Sequence, residues 1–520
     1  MNRDDMIEKI NTYSDVWDCI VIGGGASGLG VAIEAASRGY TCVLLEQSDF
    51  SKGTSSRSTK LIHGGVRYLQ QGDVSLVLEA LHERGLLRQN APHLVSNQKF
   101  VVPNYEWWDG PFYRVGLKVY DIMAGKLGLG PSKSLSKKET LAAIPTLRRK
   151  GLRGGIVYHD GQFDDSRLAV NLAQTLEEKG CTPVNYMKVT GLLKTGGMVS
   201  GVLARDMERG EEYEIHGRVV INATGVFADS IVKMDDPHAQ DMIKPSQGIH
   251  LVLGKEFLPG DTAIMVPHTD DGRVLFAVPW LEKVVVGTTD TPVEEASLEP
   301  RAFDEEVDFV LKTAGKYLEK VPSRSDVLSV FAGLRPLAAP PEGGKPTKEI
   351  SRSHKVLVSL SGLVTLVGGK WTTYRKMGED TIDKAALVAG LEERPSTTAN
   401  LRIHGWLKNV DTGEFLHSYG SDAIAIKRLI RNKPELGERL DPALPIVRAE
   451  ILWATRNEMA RTVEDALARR TRALFLDARA SIRMAPEAAK IMAKELKFSR
   501  KWQKNQVKEY IDLARGYLLE

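Results

Sequence analysis

Residues 18–46, DCIVIGGGASGLGVAIEAASRGYTCVLLE, constrain the fold more than any other stretch. The apolar run Cys19–Ile22 has the length and composition of a strand buried on both faces. Gly23, Gly25 and Gly28 follow in G-x-G-x-x-G spacing, and Leu29 to Ser37 reads as a helix. Arg38-Gly39 ends that helix, Thr41 to Leu45 is a second strand, and Glu46 closes it. The first glycine permits the tight turn, the second lets a pyrophosphate approach the backbone, and the third lets helix and strand pack closely. Ser27 lies within the same turn, where a helix N-terminus offers free N–H groups to phosphates. An acid placed like Glu46 accepts hydrogen bonds from ribose hydroxyls and would repel the 2′-phosphate of NADP. Strand, helix, second strand and terminal acid in this order predict a Rossmann-like α/β domain that binds a dinucleotide.

A chain of 520 residues exceeds one core and predicts two or three domains. With 42% hydrophobic and 26% charged residues it has an ordinary globular balance. A formal charge of +3 gives no reason to expect nucleic acid. Cys19, Cys42 and Cys181 lie too far apart for a disulfide framework or a metal knuckle, so no metal is expected and a reducing compartment fits. The opening MNRDDMIEKI lacks the apolar core of a signal peptide and is too acidic for a transit peptide. No apolar run approaches a membrane span, so any membrane contact is expected at the surface.

A second segment, GRVVINATG at 217–225, is a strand entering a small-residue turn that ends at Gly225 and lets backbone lie against a nucleotide. With the first unit it resembles the paired signature of FAD-dependent oxidoreductases. Five motifs narrow the resemblance: SSRSTKLIHGGVRYL at 55–69, INATGVFAD at 221–229, PWLEKVVVGTTD at 279–290, FAGLRPL at 331–337 and GGKWTTYRK at 368–376. They look like those of the FAD-dependent glycerol-3-phosphate dehydrogenases of the aerobic type. The likeness runs from about residue 17 to the C-terminus, and EMARTVEDALARRTR at 458–472 looks like that family's helical C-terminal domain.

The resemblance implies noncovalent FAD and a phosphorylated polyol, glycerol 3-phosphate, as substrate. A doubly charged phosphate calls for fixed, forked cations, which suits arginine. Arg67, Tyr68, Arg335, Arg352 and Lys370 are expected around it, with the flavin against the Gly64-Gly65 and Gly368-Gly369 backbones. Neighbouring Arg57 and Arg375 are read as structural. The implied reaction takes hydride from C2 to the flavin N5 while a base accepts the hydroxyl proton. Of 11 histidines, two fall in family motifs, His63 and His250. His250 is favoured as the base and His63 as a flavin contact, with Lys370 a third candidate, since positive surroundings ease access to a neutral base.

The expected nucleotide-binding segments are 17–85, 150–240 and 325–392. They are interleaved with substrate segments 86–149 and 241–324, whose strand-like runs predict an antiparallel sheet. Residues 393–520 are expected to form a helical domain after a polar linker. The resemblance suggests membrane quinone as acceptor, a peripheral position on the inner face of a bacterial cell membrane, and allows a homodimer. Two segments are candidate anchors: a lysine series at Lys490, Lys494, Lys497, Lys501, Lys504 and Lys508 with Phe498, Trp502 and Tyr510 nearby, and the stretch 104–123 with Trp107, Trp108, Phe112 and Tyr113. The rival readings are an amine or amino-acid oxidase, a glycerol-3-phosphate oxidase using oxygen, and a nonenzymatic flavoprotein.

Overall fold

The computed structural model describes residues 1–65, 74–106, 109–267, 269, 274–339 and 353–519. Its first sheet is built around the strand Trp17–Ile22, whose Cys19 pairs in parallel with Cys42 on one side and Val219 on the other. The order runs Lys355–Val358, Val364–Val367, Glu212–Asn222, Trp17–Ile22, Cys42–Leu45, Thr182–Val184. Helix Ala26–Ser37 covers this sheet between helices Asp165–Glu178 and Tyr374–Ala389. Every residue of Cys42–Leu45 is buried, as an apolar run in a parallel sheet covered by helices must be.

A second, ten-stranded sheet is antiparallel except where Thr262–Val266 runs parallel to Val95–Asn104. Its longest pairing joins Ile243–Gly254 to Val327–Ala338, from Ile243 opposite Ala338 to Leu253 opposite Val327. Two strands expected on the nucleotide side, Gly154–Phe163 and Val327–Ala338, belong to this sheet. Strand pairing over ten or more residues outweighs the position of a motif in sequence. The crossing places Arg335 and His250 on neighbouring strands.

The C-terminal helices include Arg448–Asn457, Ala478–Leu496 and Arg500–Arg515. They share one hydrophobic cluster with the second sheet: Trp280, Val285 and Phe331 pack with Phe475, Met484, Tyr510 and Tyr517. Salt bridges tie the same region to the nucleotide domain. Asp49 accepts hydrogen bonds from Arg469 and Arg470, and Arg167 holds Glu458 through two 2.8 Å bonds. The chain also begins with a helix that the motifs do not announce, Arg3–Thr12, whose Met6, Ile7 and Ile10 enter the main core.

The lysine series does not form one stripe. Lys497 takes a left-handed conformation (φ 58°) that ends one helix, and Ser499 caps the next through its bond to Trp502 N–H. Tyr510 is buried and bonds Ser481, so it is no interfacial aromatic. In the other candidate anchor, helix Asp109–Ala124 buries Tyr113, Leu117 and Tyr120 and exposes Val115, Val119 and Ile122. Trp107 and Trp108 lie outside the described residues. Among those described, no helix is long and apolar enough to cross a membrane.

Candidate active site

A single cavity of about 630 Å³ runs from the first glycine turn to the second sheet. At one end Gly23, Gly25 and Ser27 line it, where helix Ala26–Ser37 starts from Gly25. Ala26 N–H donates to Ser55 Oγ at 2.9 Å, and a helix N-terminus facing a cavity suits a phosphate group. Gly23 has φ +109°, and a Cβ there would lie 2.8 Å from the Ala223 carbonyl oxygen. At Gly28 a Cβ would strike the Gly23 carbonyl, so the third glycine serves the packing of the turn rather than ligand contact.

Glu46 lines the same end, with Oε2 accepting from Gly24 N–H at 2.6 Å and Oε1 from Ser48 N–H at 2.9 Å. Burial raises its pKa against those two bonds. Each carboxylate oxygen keeps a second lone pair for a ribose hydroxyl. Gly225, Gly368, Gly369 and Lys370 also line the cavity, as does Trp371, whose Nε1 donates to Ser55 O at 2.8 Å. The helix N-terminus, the glycine turn and the buried acid fit the pyrophosphate and ribose of a dinucleotide.

At the far end stand Thr59, His63, His250 and Arg335. His250 is buried, stacked on Phe331 at 5.0 Å, with Nε2 at 2.9 Å from Thr59 Oγ1. Burial, then the charges of Lys60 and Arg335, push its pKa well below the ordinary value, so a neutral imidazole faces the cavity. Arg335 spreads its fork over Thr289 O (2.9 Å), Thr288 Oγ1 (3.1 Å) and Asp290 Oδ1 (3.3 Å). Arg57 lines the cavity with its guanidinium on Glu299 and Ala332 O, and Arg375 is taken up by Glu83.

Gly64 and Gly65 stand apart from the other glycines expected at the flavin. Neither glycine lines the cavity, and a Cβ on Gly64 would meet Leu81 and the Tyr120 hydroxyl at 2.5 Å. Gly64 N–H donates to that hydroxyl at 2.8 Å, and Tyr120 in turn donates to Asp160. Gly64 is small because a helix packs on it. Arg67, Tyr68 and Arg352 lie outside the described residues.

Thr59 and Lys60 lie within the 55–69 motif without being marked there as site residues, and Asp165 lies in no motif. Lys60 is fully buried with Nζ at 2.6 Å from Asp165 Oδ2, and burial brings its pKa down to about 8 against the pull of Asp165. No local pattern separates such a lysine from a surface one.

Comparison with known proteins decides the family. The model for FAD dependent oxidoreductases matches residues 18–375, and that for the C-terminal domain of alpha-glycerophosphate oxidase matches 363–503. The mitochondrial glycerol-3-phosphate dehydrogenase of Macaca fascicularis is 39% identical over 96% of this chain and 73% of its own. The chain belongs to the FAD-dependent glycerol-3-phosphate dehydrogenase family. The human mitochondrial protein of that name is also 39% identical over the same shares. The glycerol-3-phosphate dehydrogenase of Bacillus halodurans, solved in complex with FAD, superposes with a TM-score of 0.80 at 29% identity, covering 99% of this chain and 97% of its own. Glycine oxidase from Geobacillus kaustophilus shares the fold over 76% of this chain, at 17% identity and a TM-score of 0.55.

Proposed function

We propose that this chain oxidises sn-glycerol 3-phosphate to dihydroxyacetone phosphate and passes the electrons to a membrane quinone. One observation carries the reading: a dinucleotide cradle at Gly23–Gly28 opens into the same cavity as His250, Arg335 and Lys370. Bound FAD supplies the two-electron acceptor for the hydride that leaves C2. Arg335, prearranged by Thr288, Thr289 and Asp290, offers a fixed charge to the phosphate, and Lys370 a second. The resemblance adds Arg67, Tyr68 and Arg352 to that group. His250 accepts the C2 hydroxyl proton through Thr59: the Thr59 hydroxyl passes its own proton to Nε2 and takes the substrate's in exchange. The depressed basicity of His250 keeps it unprotonated at neutral pH, and the neighbouring cations stabilise the developing alkoxide.

Anaerobic addition of glycerol 3-phosphate should bleach the flavin band at about 450 nm. Glycine, sarcosine and glycerol should leave it unchanged. Bleaching by glycine or sarcosine would favour an amine oxidase instead. The acceptor is tested separately, by comparing quinone reduction with peroxide formation after reduction by substrate. Dominant peroxide would assign the oxidase reaction that the C-terminal family description names.

Quinone is a membrane solute, so the enzyme must reach a bilayer surface. The exposed row Val115, Val119 and Ile122, beside exposed Val74 and Leu78 on the neighbouring helix Val74–Asn90, suits shallow insertion. The proposed contact is peripheral.

A further inference from the structure

The wall behind His250 is assembled from three distant parts of the chain. Thr59, whose hydroxyl meets His250 Nε2, belongs to the irregular segment 57–60 that follows the 3-10 turn Thr54–Ser56, and in it Lys60 takes φ +64°. Such a segment has no ladder or helix to hold it, so its side chains and carbonyls must be fixed from outside.

Asp165, the first residue of helix Asp165–Glu178, does most of this. Its Oδ2 accepts from Ser58 Oγ (2.7 Å), Ser58 N–H (3.2 Å) and Lys60 Nζ (2.6 Å). Lys60 Nζ also donates to Ser56 O at 2.7 Å. Asp165 is in turn held by Arg472, whose Nη2 donates to Asp165 Oδ1 at 2.9 Å and to Ser56 O at 3.0 Å. The Nη1 of Arg472 reaches Ser166 Oγ at 2.7 Å. Lys60, Asp165 and Arg472 are all buried, and Asp164, 3.5 Å from Arg472, brings the carboxylates to two against two cations. Arg472 belongs to the C-terminal helical region, in a left-handed conformation (φ +65°) that starts the short helix Ala473–Leu476.

A buried, balanced charge cluster of this kind is rigid, and losing one member strands the others in a dry site. We propose that Arg472, supplied by the C-terminal helical domain, is a positioning residue for His250: through Asp165 it fixes the segment Ser56–Lys60 and so holds the Thr59 hydroxyl on His250 Nε2. The inference rests on His250 as proton acceptor in the reaction proposed above. Phe331 completes the arrangement, with His250 stacked on its ring and Lys60 Nζ 5.1 Å from its centre. The charged groups acting on the imidazole are Lys60 and Arg335, while Arg57, His63 and Lys370 line the same cavity.

The test compares wild-type holoenzyme with Thr59→Val, Thr59→Ser, Arg472→Met, Arg472→Lys and the double variant Thr59→Val/Arg472→Met. Anaerobic flavin reduction by glycerol 3-phosphate is followed across pH at matched FAD content, and His250 is followed by NMR of 15N-histidine-labelled protein. Thr59→Val and Arg472→Met should each slow reduction about tenfold or more with little change in KM, as expected for a misplaced base. Both should displace the pH profile and the His250 signals in the same direction, and Thr59→Ser should restore both. The double variant should be no slower than the slower single one, since both changes break one path. Wild-type rate and pH profile in Arg472→Met, or a double variant whose defect is the product of the singles, would overturn the proposal. Should Arg472→Met fail to yield holoenzyme, Arg472→Lys and Asp165→Asn carry the same comparison. If glycerol 3-phosphate does not reduce the wild type, the functional reading fails, while the NMR comparison still decides whether Arg472 positions His250.

Discussion

Arg335 and Asp290 face each other at the cavity edge, with Nη1 at 3.3 Å from Oδ1. Asp290 also takes the Ser246 hydroxyl, so the carboxylate is fixed and aims the guanidinium rather than neutralising it outright. Arg335→Ala should therefore weaken turnover of glycerol 3-phosphate by about 2–5 kcal/mol in kcat/KM, with FAD content unchanged. Arg335→Lys should recover little, because one ammonium cannot span Thr288, Thr289 and a phosphate. Normal kinetics in flavin-replete Arg335→Ala would remove this residue from the site.

Two glycines of one turn should fail differently. Gly25→Val places a branched side chain where a Cβ already lies 3.0 Å from Ser55 Oγ, at the mouth of the helix. The protein should fold and purify without FAD, with far-UV circular dichroism near wild type. Gly28→Ala drives a methyl into the Gly23 carbonyl and should lower the melting temperature itself. Full FAD occupancy in Gly25→Val would contradict this division.

Asp49 lies fully buried between Arg469 and Arg470, whose charges overcome burial to hold its pKa low. Asp49→Ala leaves two guanidinium groups with a reduced set of partners and should cost about 3–5 kcal/mol of stability. Chemical denaturation of wild type and variant at neutral pH measures this. A difference below about 1 kcal/mol would mean that water or rearrangement replaces the carboxylate.

His404 joins Glu178 (2.5 Å) to Asp422 (2.9 Å) across the linker. Burial opposes its charge, but the bonds to Asp422 and Glu178 outweigh it and raise the pKa to about 9. A histidine raised on folding stabilises fully below its unfolded pKa, and the contribution disappears as pH climbs through the folded value. The melting temperature of His404→Gln should thus fall short of wild type at about pH 6 and match it at about pH 10. A constant gap across that range would assign His404 a packing role alone.

For membrane contact, Val115→Ser with Ile122→Glu should abolish sedimentation with anionic vesicles and leave activity with a soluble dye intact. Replacing Lys501 and Lys504 with glutamate should have the smaller effect, since the break at Lys497 divides the lysine series between two helices. The reverse ranking would move the anchor to the C-terminal helices.

The nucleotide turn was readable because glycine spacing has immediate backbone consequences over a few residues. The strand–helix–strand register at 17–45 needs no distant partner to be inferred. His250, Arg335 and Lys370 were also legible, as polar groups set in apolar or glycine-rich surroundings, and all three line the cavity. The packing of Gly64 is not legible, because a glycine kept small by Tyr120 and one bared for a ligand look alike in sequence. Lys60, Asp165 and Arg472 were illegible for a different reason. Their meaning lies in a charge balance among residues more than a hundred positions apart, which no local pattern encodes. Lys497 shows the limit of periodicity: a spacing that fits one helix says nothing about a left-handed residue inside it.

The aromatic run from His250 through Phe331 and Phe475 to Tyr517 has a consequence for the order of events on the ribosome. Tyr517 donates to Glu299, which also receives Lys52 and Arg57 beside the cavity. The nucleotide turn emerges first, yet the wall that carries His250 gains its backing only once Tyr517, far downstream, has been translated. A nascent chain can therefore hold a complete glycine turn long before it has an organised reaction chamber, and flavin capture can precede catalytic competence.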